Sequence, residues 1–359
     1  MDKKKALIAM SGGVDSSVAA YLTQQAGFDC IGATMRLYDN HIIQSEVESS
    51  CCSLDDVEDA RSVAFRLGMP YYVFNFTAAF EEKVIQKFVR CYECGTTPNP
   101  CIDCNRYLKF EELLRRALTL GCDYVATGHY ARIAEENGRY LLKKAADSGK
   151  DQTYFLYNLT QDQLAHTRFP LGALTKAEVR EIAQAQQFIN ARKRDSQDIC
   201  FVPDGDYLEF IRKYTGKDYP AGDFLDESGK VVGRHHGAIG YTRGQRKGLG
   251  LAMGEPVYVC GKDMERNTVT VGKNESLFST TLVADDWTFF PFDTLTQPLK
   301  AWAKARSRMT EQPGTLYPEE NGRVRVVFDQ PQRALTTGQA VVVYDGDTVI
   351  GGGTITEIL

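Results

Sequence analysis

The chain has 359 residues, 43% of them hydrophobic and 25% charged, with a formal net charge of -5. This composition excludes a disordered chain, and the acidic balance excludes a uniformly basic nucleic-acid coat but allows local basic patches. The longest apolar runs, such as Ala6–Met10, are too short to cross a bilayer, and no signal-peptide pattern follows Met1. We therefore expect a soluble, cytoplasmic protein.

Strand and helix patterns alternate through residues 6–127. The first strand, Ala6–Met10, is followed by apolar residues at helical spacing from Val14 to Ala26, and Gly27 ends that helix. Further strands are predicted at 30–35, 71–76 and 124–127, and further helices near 54–67, 80–89, 107–120, 161–167 and 176–186. Repeated βα units predict a doubly wound parallel α/β sheet, Rossmann-like in type, that binds ligands at the carboxyl ends of its strands.

The pattern changes from about Asp206. One short helix at 207–214 leads into glycine-punctuated segments at 234–246 and 257–271, whose alternation predicts β-structure. Short alternating runs at 323–328, 340–344 and 348–350, with a turn at Asp345-Gly346, predict a small β-barrel or sandwich. We expect a catalytic domain over residues 1–205, a small β-rich central domain over 206–274 and a C-terminal β-barrel over 275–359.

A glycine-rich loop, Ser11-Gly12-Gly13-Val14-Asp15-Ser16-Ser17, joins the first strand to the first helix. Backbone N–H groups and the helix dipole can hold an anion there, and the two glycines let a phosphate approach closely. Neither the Walker nor the Rossmann glycine pattern is present. The alternative is a tight turn with a serine cap, but the whole motif favours a nucleotide site.

Four of the ten cysteines form two closely spaced pairs, Cys91-x2-Cys94 and Cys101-x2-Cys104. This spacing can bring four thiolates onto one ion, so a structural zinc site is the first hypothesis. A reactive cysteine is the alternative, because two prolines stiffen the loop and Asn105 is predicted to cap the helix that follows. Cys104 would then lie at a helix N-terminus, where the dipole favours thiolate.

Several motifs, taken in order, resemble the tRNA-specific 2-thiouridylases of the ATP pyrophosphatase (PP-loop) superfamily. They are the phosphate loop, Asn-Pro-Cys-Ile-Asp-Cys-Asn at 99–105, Gly-His-Tyr at 128–130, 150–156, Ser-Gln-Asp-Ile-Cys-Phe at 196–201 and 244–250. The match runs from Ala6 to about Gly272 and continues more weakly through the three glycines at 351–353.

The resemblance implies an ATP-dependent transferase that adenylates the C2 oxygen of the wobble uridine of a tRNA and then replaces it with sulfur. ATP with Mg²⁺ is the implied cofactor, and Asp15 has an implied role in catalysis. The implied nucleotide-binding residues are Ala9, Met10, Ser11, Gly12, Gly13, Val14, Asp15, Ser16, Met35 and Gly128. The neighbouring His129 is either a ligand-facing residue or a capped loop histidine.

For the sulfur, the resemblance implies that Cys200 carries a persulfide and that Cys104 acts as a nucleophile, leaving a disulfide between them that must be reduced. Cys101 stands where the family commonly has Asp. The extra thiolate allows a second scheme, in which Cys101, Cys104 and Cys200 hold a 4Fe–4S cluster. Cys91 and Cys94 could be a metal clip, a redox pair or spare thiols. At most one of the adjacent Cys51 and Cys52 is functional. The remaining cysteines, Cys30, Cys122 and Cys260, are expected to serve packing.

The implied tRNA contacts lie in three places: Asn99, Pro100 and Cys101; Lys150, Asp151 and Gln152; and Arg306 and Ser307. The family often has an aromatic residue where Ser307 stands. Basic clusters at 192–194, 243–247 and 300–308 could bind further phosphates or be solvated surface. The central domain is expected to bind tRNA, and the sulfur donor to be a cysteine desulfurase or a sulfur-relay protein. Two rival interpretations are a PP-loop enzyme that adenylates a small molecule and a zinc-stabilised RNA-binding protein.

Overall fold

The computed structural model of the chain describes residues 3–38, 54–194, 199–202 and 205–359. The chain forms two compact units. The first comprises Met1–Ile85, Pro100–Gly205 and Gly346–Ile350, and the second comprises Gln86–Asn99, Asp206–Asp345 and Gly351–Leu359. The three-domain division, with boundaries after residues 205 and 274, stays a prediction.

The first unit is built on a parallel sheet of order β3-β2-β1-β4-β7. Its strands are β1 (Lys5–Ala9), β2 (Asp29–Arg36), β3 (Tyr71–Asn75), β4 (Tyr124–Thr127) and β7 (Thr167–Arg168). Every neighbouring pair is parallel. Ala6, Leu7 and Ile8 have no exposed surface, as expected for a central strand covered on both faces. The predicted α/β class is therefore confirmed.

Helices and one hairpin complete the first unit. The helix α1 spans Val14–Gln25, and Gly27, with φ of +89°, follows it where an L side chain would be strained. The hairpin pairs β5 (Arg132–Glu136) with β6 (Arg139–Lys143). The other helical segments are Leu54–Arg66, Thr77–Phe80, Glu81–Ile85 (π), Pro100–Asp103, Cys104–Glu112 (π), Leu113–Thr119, Thr153–Phe155 (3-10), Gln161–Ala165 and Lys176–Ala185.

The strand order creates a topological switch point. The chain moves from β1 outward through β2 to β3 and then crosses to β4, on the other side of β1. In open α/β sheets, ligands bind in the crevice outside the carboxyl ends of the strands at such a point. The loop after β1 and the loop after β4 flank this crevice.

The second unit contains helices Gln86–Glu93 and Tyr207–Thr215, a four-stranded sheet and an antiparallel barrel. The sheet has the order β10-β11-β8-β9, from β8 (Gly222–Leu225), β9 (Val231–His235), β10 (Tyr258–Asp263) and β11 (Thr268–Gly272). The barrel has the order β12-β15-β14-β13-β16-β17 and closes by pairing β12 with β17. Its strands are β12 (Phe278–Phe289), β13 (Leu299–Lys304), β14 (Gln312–Pro318), β15 (Val324–Arg333), β16 (Ala340–Asp345) and β17 (Thr348–Ile358). The predicted barrel is confirmed.

One β prediction in this region is largely wrong. Of the segment 234–246, only the first two residues belong to a strand, β9, and Ala238–Gly240 forms a 3-10 turn. Gly237 and Gly244 have φ values of +119° and +87°, which interrupt an extended chain. In addition, the His235 ring accepts a hydrogen bond from the Gly237 N–H at 3.0 Å, which fixes the turn. The three glycines near the C-terminus have a packing reason, since a Cβ on Gly351 would collide with the backbone of β12.

Candidate active site

The glycine-rich loop lies directly after β1, as predicted, and the observed strand order places it at the switch point. Gly12 has φ of +73°, and a Cβ there would collide with the backbone of Asp56 in the helix Leu54–Arg66. Asn190 holds the loop from the other side, because its Nδ2 donates to the Gly12 carbonyl and to Ser17 Oγ, both at 2.9 Å. The loop is therefore fixed before any ligand binds, which is the preorganisation that an anion site needs.

The N-terminus of α1 faces this loop without a side-chain cap. Gly13 is the N-cap residue, and the first N–H groups of a helix have no intrahelical acceptors. Ser16 Oγ accepts a hydrogen bond from the Ser11 N–H at 3.2 Å and donates to the Gly13 carbonyl at 3.0 Å, so it ties the two ends of the loop together. These donors and the helix dipole make a site suited to phosphate.

Asp15, in the first turn of α1, is held by two residues from distant parts of the chain. Lys176 Nζ lies 2.7 and 2.9 Å from its two carboxylate oxygens, and the Tyr130 hydroxyl donates to it at 2.9 Å. Lys176 is not among the site residues predicted from the sequence. The available signal was local: Thr175 and Glu178 form a capping box that makes Lys176 the first residue of its helix, but nothing in the sequence shows that this helix meets Asp15.

The other predicted nucleotide residues gather at the same sheet edge. Ala9 is the last residue of β1, and Met10 follows it. Met35 is near the end of β2, and Gly128 follows β4. A Cβ on Gly128 would lie 2.7 Å from the Ser16 backbone nitrogen, so the β4 loop touches the start of α1. The structure thus brings these residues together, while their roles stay predictions.

His129 is buried and held from both sides of its ring. Nδ1 makes a 2.7 Å hydrogen bond with Thr127 Oγ1, and Nε2 lies 3.5 Å from Lys109 Nζ. Burial is the main reason that the pKa of His129 is well below its ordinary value, and the Lys109 charge adds to it. Of the two interpretations of this histidine, the geometry favours the structural one.

Cys104 is not at a helix N-terminus, so this part of the prediction is wrong. The helical segment begins at Pro100, and Cys104 follows its first turn as the first residue of a π-helix. Proline is well suited to the first position of a helix, which explains the earlier start. Asn105 is not a cap but donates to the Phe155 carbonyl at 3.0 Å. Because the dipole effect is confined to the first turn, it supports thiolate at Cys101 better than at Cys104.

The Cys200 segment is fixed by aromatic packing. The Tyr38 hydroxyl, two residues beyond β2, donates to the Cys200 carbonyl at 3.0 Å. The buried Phe201 ring packs edge-on against Phe80, with centroids 5.7 Å apart, and Phe80 also contacts Tyr38 at 5.8 Å. The Cys200 side chain remains partly exposed. The preceding residues of the motif, 196–198, lie outside the described residues.

Both cysteine segments pack on the same piece of helix. Phe80 ends the helix Thr77–Phe80, which continues as the π-turn Glu81–Ile85. The helical segment from Pro100 through Glu112 contacts these same residues. The predicted pairing of Cys104 with Cys200 stays a prediction, but one scaffold within the first unit supports both.

The four-cysteine zinc hypothesis stays a prediction, because one cysteine pair belongs to each of the two compact units. Within residues 3–38, 54–194, 199–202 and 205–359, no three His, Cys, Asp or Glu side chains come together in positions that could hold one ion. Cys51 and Cys52 lie outside these ranges. Cys30 and Cys122 are buried in the first unit, and burial raises the pKa of Cys30 to about 11 and also raises that of Cys122.

The predicted tRNA residues have mixed environments. Cys101 is exposed and Pro100 buried. Gln152 makes two reciprocal 2.9 Å hydrogen bonds with Tyr130, and Asp151 accepts bonds from the Ala145 N–H and the Thr153 hydroxyl. In the second unit, Arg306 donates to the Ala334 carbonyl and to Thr336 Oγ1, both at 2.7 Å, and Ser307 beside it is partly exposed.

The basic clusters are only partly available to a ligand. Lys193 is paired with Asp56 and Asp59, each at 2.6 Å, and Arg243 donates to backbone carbonyls. Lys304 is buried. The cluster residues that remain exposed are Arg192, Arg194, Arg246, Lys247, Lys300 and Arg308.

Comparisons with known proteins agree on one family. Three family models match consecutive parts of the chain: a tRNA methyl transferase HUP domain at 4–204, a tRNA methyl transferase PRC-barrel domain at 208–273 and an aminomethyltransferase beta-barrel domain at 279–355. A tRNA-specific 2-thiouridylase of Clostridium acetobutylicum is 51% identical over 98% of this chain and 99% of its own length. One of Clostridioides difficile is 50% identical over 99% of each chain.

Among solved structures, a 4-thiouridine synthetase–RNA complex with bound ATP is 17% identical over 59% of this chain and 50% of that chain. Its TM-score is 0.35. The described helices include none that is long and apolar enough to span a membrane.

Proposed function

This chain belongs to the family of tRNA-specific 2-thiouridylases, and on that premise we propose that it is an ATP-dependent sulfurtransferase that thiolates the wobble uridine of tRNA at C2. The observation that carries the proposal is the placement, in one compact unit, of a preorganised phosphate loop and of two cysteine segments that share a scaffold. A PP-loop enzyme that adenylates a small molecule has no need of two cysteine segments on a shared scaffold.

The first step is activation of the base. The uracil C2 oxygen is a poor leaving group, so it attacks the α-phosphorus of ATP and pyrophosphate leaves with the electron pair of the broken bond. The loop residues Ser11–Ser16 and the N-terminus of α1 hold the phosphates, and Lys176 positions Asp15 beside them. Mg²⁺, when bound, supplies charge neutralisation for the leaving pyrophosphate. The product is an RNA adenylate whose leaving group is AMP.

The second step is sulfur transfer. The outer sulfur of a Cys200 persulfide attacks C2, and AMP leaves with the C–O bond pair. The Cys104 thiolate then attacks Cys200 Sγ, forming a disulfide while the S–S bond pair stays with the sulfur now on the base. An external dithiol reduces the disulfide, and a persulfide donor such as a cysteine desulfurase or a sulfur-relay protein reloads Cys200. Two cysteines on one scaffold satisfy this scheme.

The target base must leave its stack to reach the crevice, and such base flipping is the general solution for chemistry on a base. Asn99, Pro100, Cys101, Lys150, Asp151, Gln152, Arg306 and Ser307 are the proposed contacts to the RNA. The hydrogen bonds that fix Asp151 and Gln152 give their loop a defined shape, which a contact surface for a flipped base requires.

The test is thiolation of unmodified tRNA transcript with ATP and a persulfide donor. Asp15→Asn should abolish pyrophosphate release as well as thiouridine. Cys104→Ser and Cys200→Ser should abolish thiouridine but leave tRNA-dependent pyrophosphate release. The buried Cys122→Ser is the matched control and should keep both activities. Full thiolation by either catalytic-cysteine variant would overturn the assigned sulfur route.

Metal analysis of protein purified without oxygen decides between the persulfide route and the iron–sulfur alternative at Cys101, Cys104 and Cys200. The persulfide route predicts substoichiometric iron in a sample that is fully active. Four irons per chain, lost together with activity in Cys101→Ala, would replace the persulfide route by a cluster.

A further inference from the structure

Tyr130 joins the phosphate loop to a second loop, at residues 145–153, which contains three of the proposed tRNA contacts. Its ring lies in the core, with the residue 2% exposed, and its hydroxyl donates to the Asp15 carboxylate at 2.9 Å. Its backbone N–H donates to Gln152 Oε1, and its carbonyl accepts the Gln152 N–H, both at 2.9 Å. All these residues belong to the first unit. One buried residue is therefore bonded by its side chain to the phosphate loop and by its backbone to the 145–153 loop.

A second route joins Asp15 to the same loop. Lys176 Nζ lies 2.7 and 2.9 Å from the two Asp15 oxygens, and the Lys176 backbone N–H donates to Asp147 Oδ2 at 2.9 Å. Tyr130 and Lys176 thus both hold the Asp15 carboxylate, and each of them is also bonded to the 145–153 loop. The position of that carboxylate therefore depends on the position of the loop.

The 145–153 loop is stiffened by hydrogen bonds between its own residues. Asp151 accepts from the Ala145 N–H at 3.0 Å and from the Thr153 hydroxyl at 2.6 Å, which closes the loop on itself. The proposed contacts at 150–152 are partly exposed, so a ligand can reach them. Because well-packed structure transmits strain, a force on these residues reaches the bonded atoms on the inner side of the loop.

The Tyr130 hydroxyl is not explained by packing alone. A phenylalanine ring would fill the same space in the core. The Asp15 side chain is 32% exposed, so water can solvate this carboxylate and the hydroxyl is not needed for that purpose. What the hydroxyl adds is a charge-assisted hydrogen bond of defined direction, carried on a ring that packing holds still.

We propose that Tyr130 is a positioning residue that couples tRNA on the 145–153 loop to the placement of Asp15 in the phosphate loop. The inference rests on the proposed function, in which tRNA contacts residues 150–152 and adenylation takes place at the phosphate loop. A bound tRNA stabilises the arrangement of the loop that it fits, and the Tyr130 hydrogen bonds pass this preference on to Asp15. A misplacement of about 1 Å at a reacting group can cost ~100-fold in rate. ATP is therefore used when tRNA is in place.

The first experiment compares wild type with Tyr130→Phe, which keeps the buried ring and removes the bond to Asp15. At saturating ATP and tRNA, kcat for pyrophosphate release should fall at least tenfold, while the KM values for ATP and tRNA stay within about twofold of wild type. Tyr21→Phe is the matched control and should leave all three constants unchanged. The Tyr21 ring packs against the core from α1, and its hydroxyl makes no hydrogen bond to the residues that the structure describes.

The second experiment asks whether the effect passes through the 145–153 loop. Gln152→Leu removes the acceptor of the Tyr130 N–H, and its kcat is also measured at saturating tRNA. If both residues act through one route, the double variant Tyr130→Phe/Gln152→Leu should lose no more kcat than the more damaged single variant. A loss equal to the product of the two single losses would overturn the coupling.

Two other results of these assays would also overturn the inference. One is a wild-type kcat in Tyr130→Phe, and the other is a loss that appears in the two KM values instead of in kcat. In either case wild type still releases pyrophosphate when tRNA is added and still forms thiouridine, so the proposed function stands. Wild type that releases no pyrophosphate on addition of tRNA would overturn the proposed function, and this inference with it.

Discussion

Substitution of Gly128 tests the geometry of the crevice most directly. A Cβ at this position would lie 2.7 Å from the Ser16 backbone nitrogen and 2.8 Å from the Asp15 carbonyl carbon. Both are backbone atoms at the start of α1, so no side chain can rotate away. Reaching the 3.4 Å of ordinary contact requires a displacement of about 0.7 Å between the β4 loop and the phosphate loop.

Overpacking of this kind costs about 1–3 kcal/mol. In a unit of this size each kcal/mol lowers Tm by roughly 2–4 °C, so Gly128→Ala should melt roughly 2–12 °C lower. A misplacement approaching 1 Å at a reacting group can cost about 100-fold in rate, so we expect tRNA-dependent pyrophosphate release to fall by between ~10-fold and ~100-fold. Calorimetry and a pyrophosphate assay on the same samples measure both effects.

Gly261→Ala is the matched control, because no atom lies within 4 Å of the position that its Cβ would take. It should leave both Tm and pyrophosphate release unchanged. If Gly128→Ala behaved like this control, the β4 loop would not touch the start of α1, and the crevice as described would be wrong.

Two further predictions concern residues around the same crevice. Lys176→Met should reduce tRNA-dependent pyrophosphate release at least tenfold, because Asp15 loses the cation that positions it, and Lys176→Arg should recover part of the rate. His129 takes up a proton more readily in the unfolded chain, near its ordinary pKa of about 6.5, than in the folded one. Its contribution to stability is therefore full above that pH and is lost as pH falls below it. His129→Gln should show a smaller decline in urea midpoint between pH 7.5 and 5 than wild type, and an equal decline would contradict the burial of this ring.

The parallel sheet and the phosphate loop could be predicted because their signals are local. A short apolar run such as Ala6–Met10, followed directly by a glycine loop and a helix, already gives strand, ligand loop and helix N-terminus in order. The strand order β3-β2-β1-β4-β7 could not be predicted from the sequence. Any doubly wound order, however, places β1 near a switch point. The position of the proposed nucleotide crevice could therefore be predicted from the α/β fold class alone.

The errors come from contacts between residues far apart in sequence. Lys176 pairs with Asp15 across 161 residues of sequence, and Lys193 pairs with Asp56 across 137. No local sequence pattern therefore indicates that Lys176 holds Asp15 or that the charge of Lys193 is neutralised. The helix start was misjudged for a different reason. Pro100 and Asn105 are both good residues for a helix start, and the choice of Pro100 leaves the Asn105 amide buried and bonded to Phe155 instead.

Cys200, the proposed persulfide carrier, meets two requirements of that role that are hard to combine. Its sulfur must be reachable by a donor and by the substrate, yet its backbone must hold still so that the outer sulfur meets one carbon atom. Tyr38 fixes the Cys200 carbonyl, and the next residue, Phe201, is anchored in an aromatic cluster. The Cys200 side chain nevertheless stays partly exposed. Cys30 and Cys122 are buried, and their raised pKa values disfavour the thiolate that the proposed chemistry uses. Exposure on a fixed backbone, rather than cysteine spacing, is therefore the physical property that sets Cys200 apart from these two thiols.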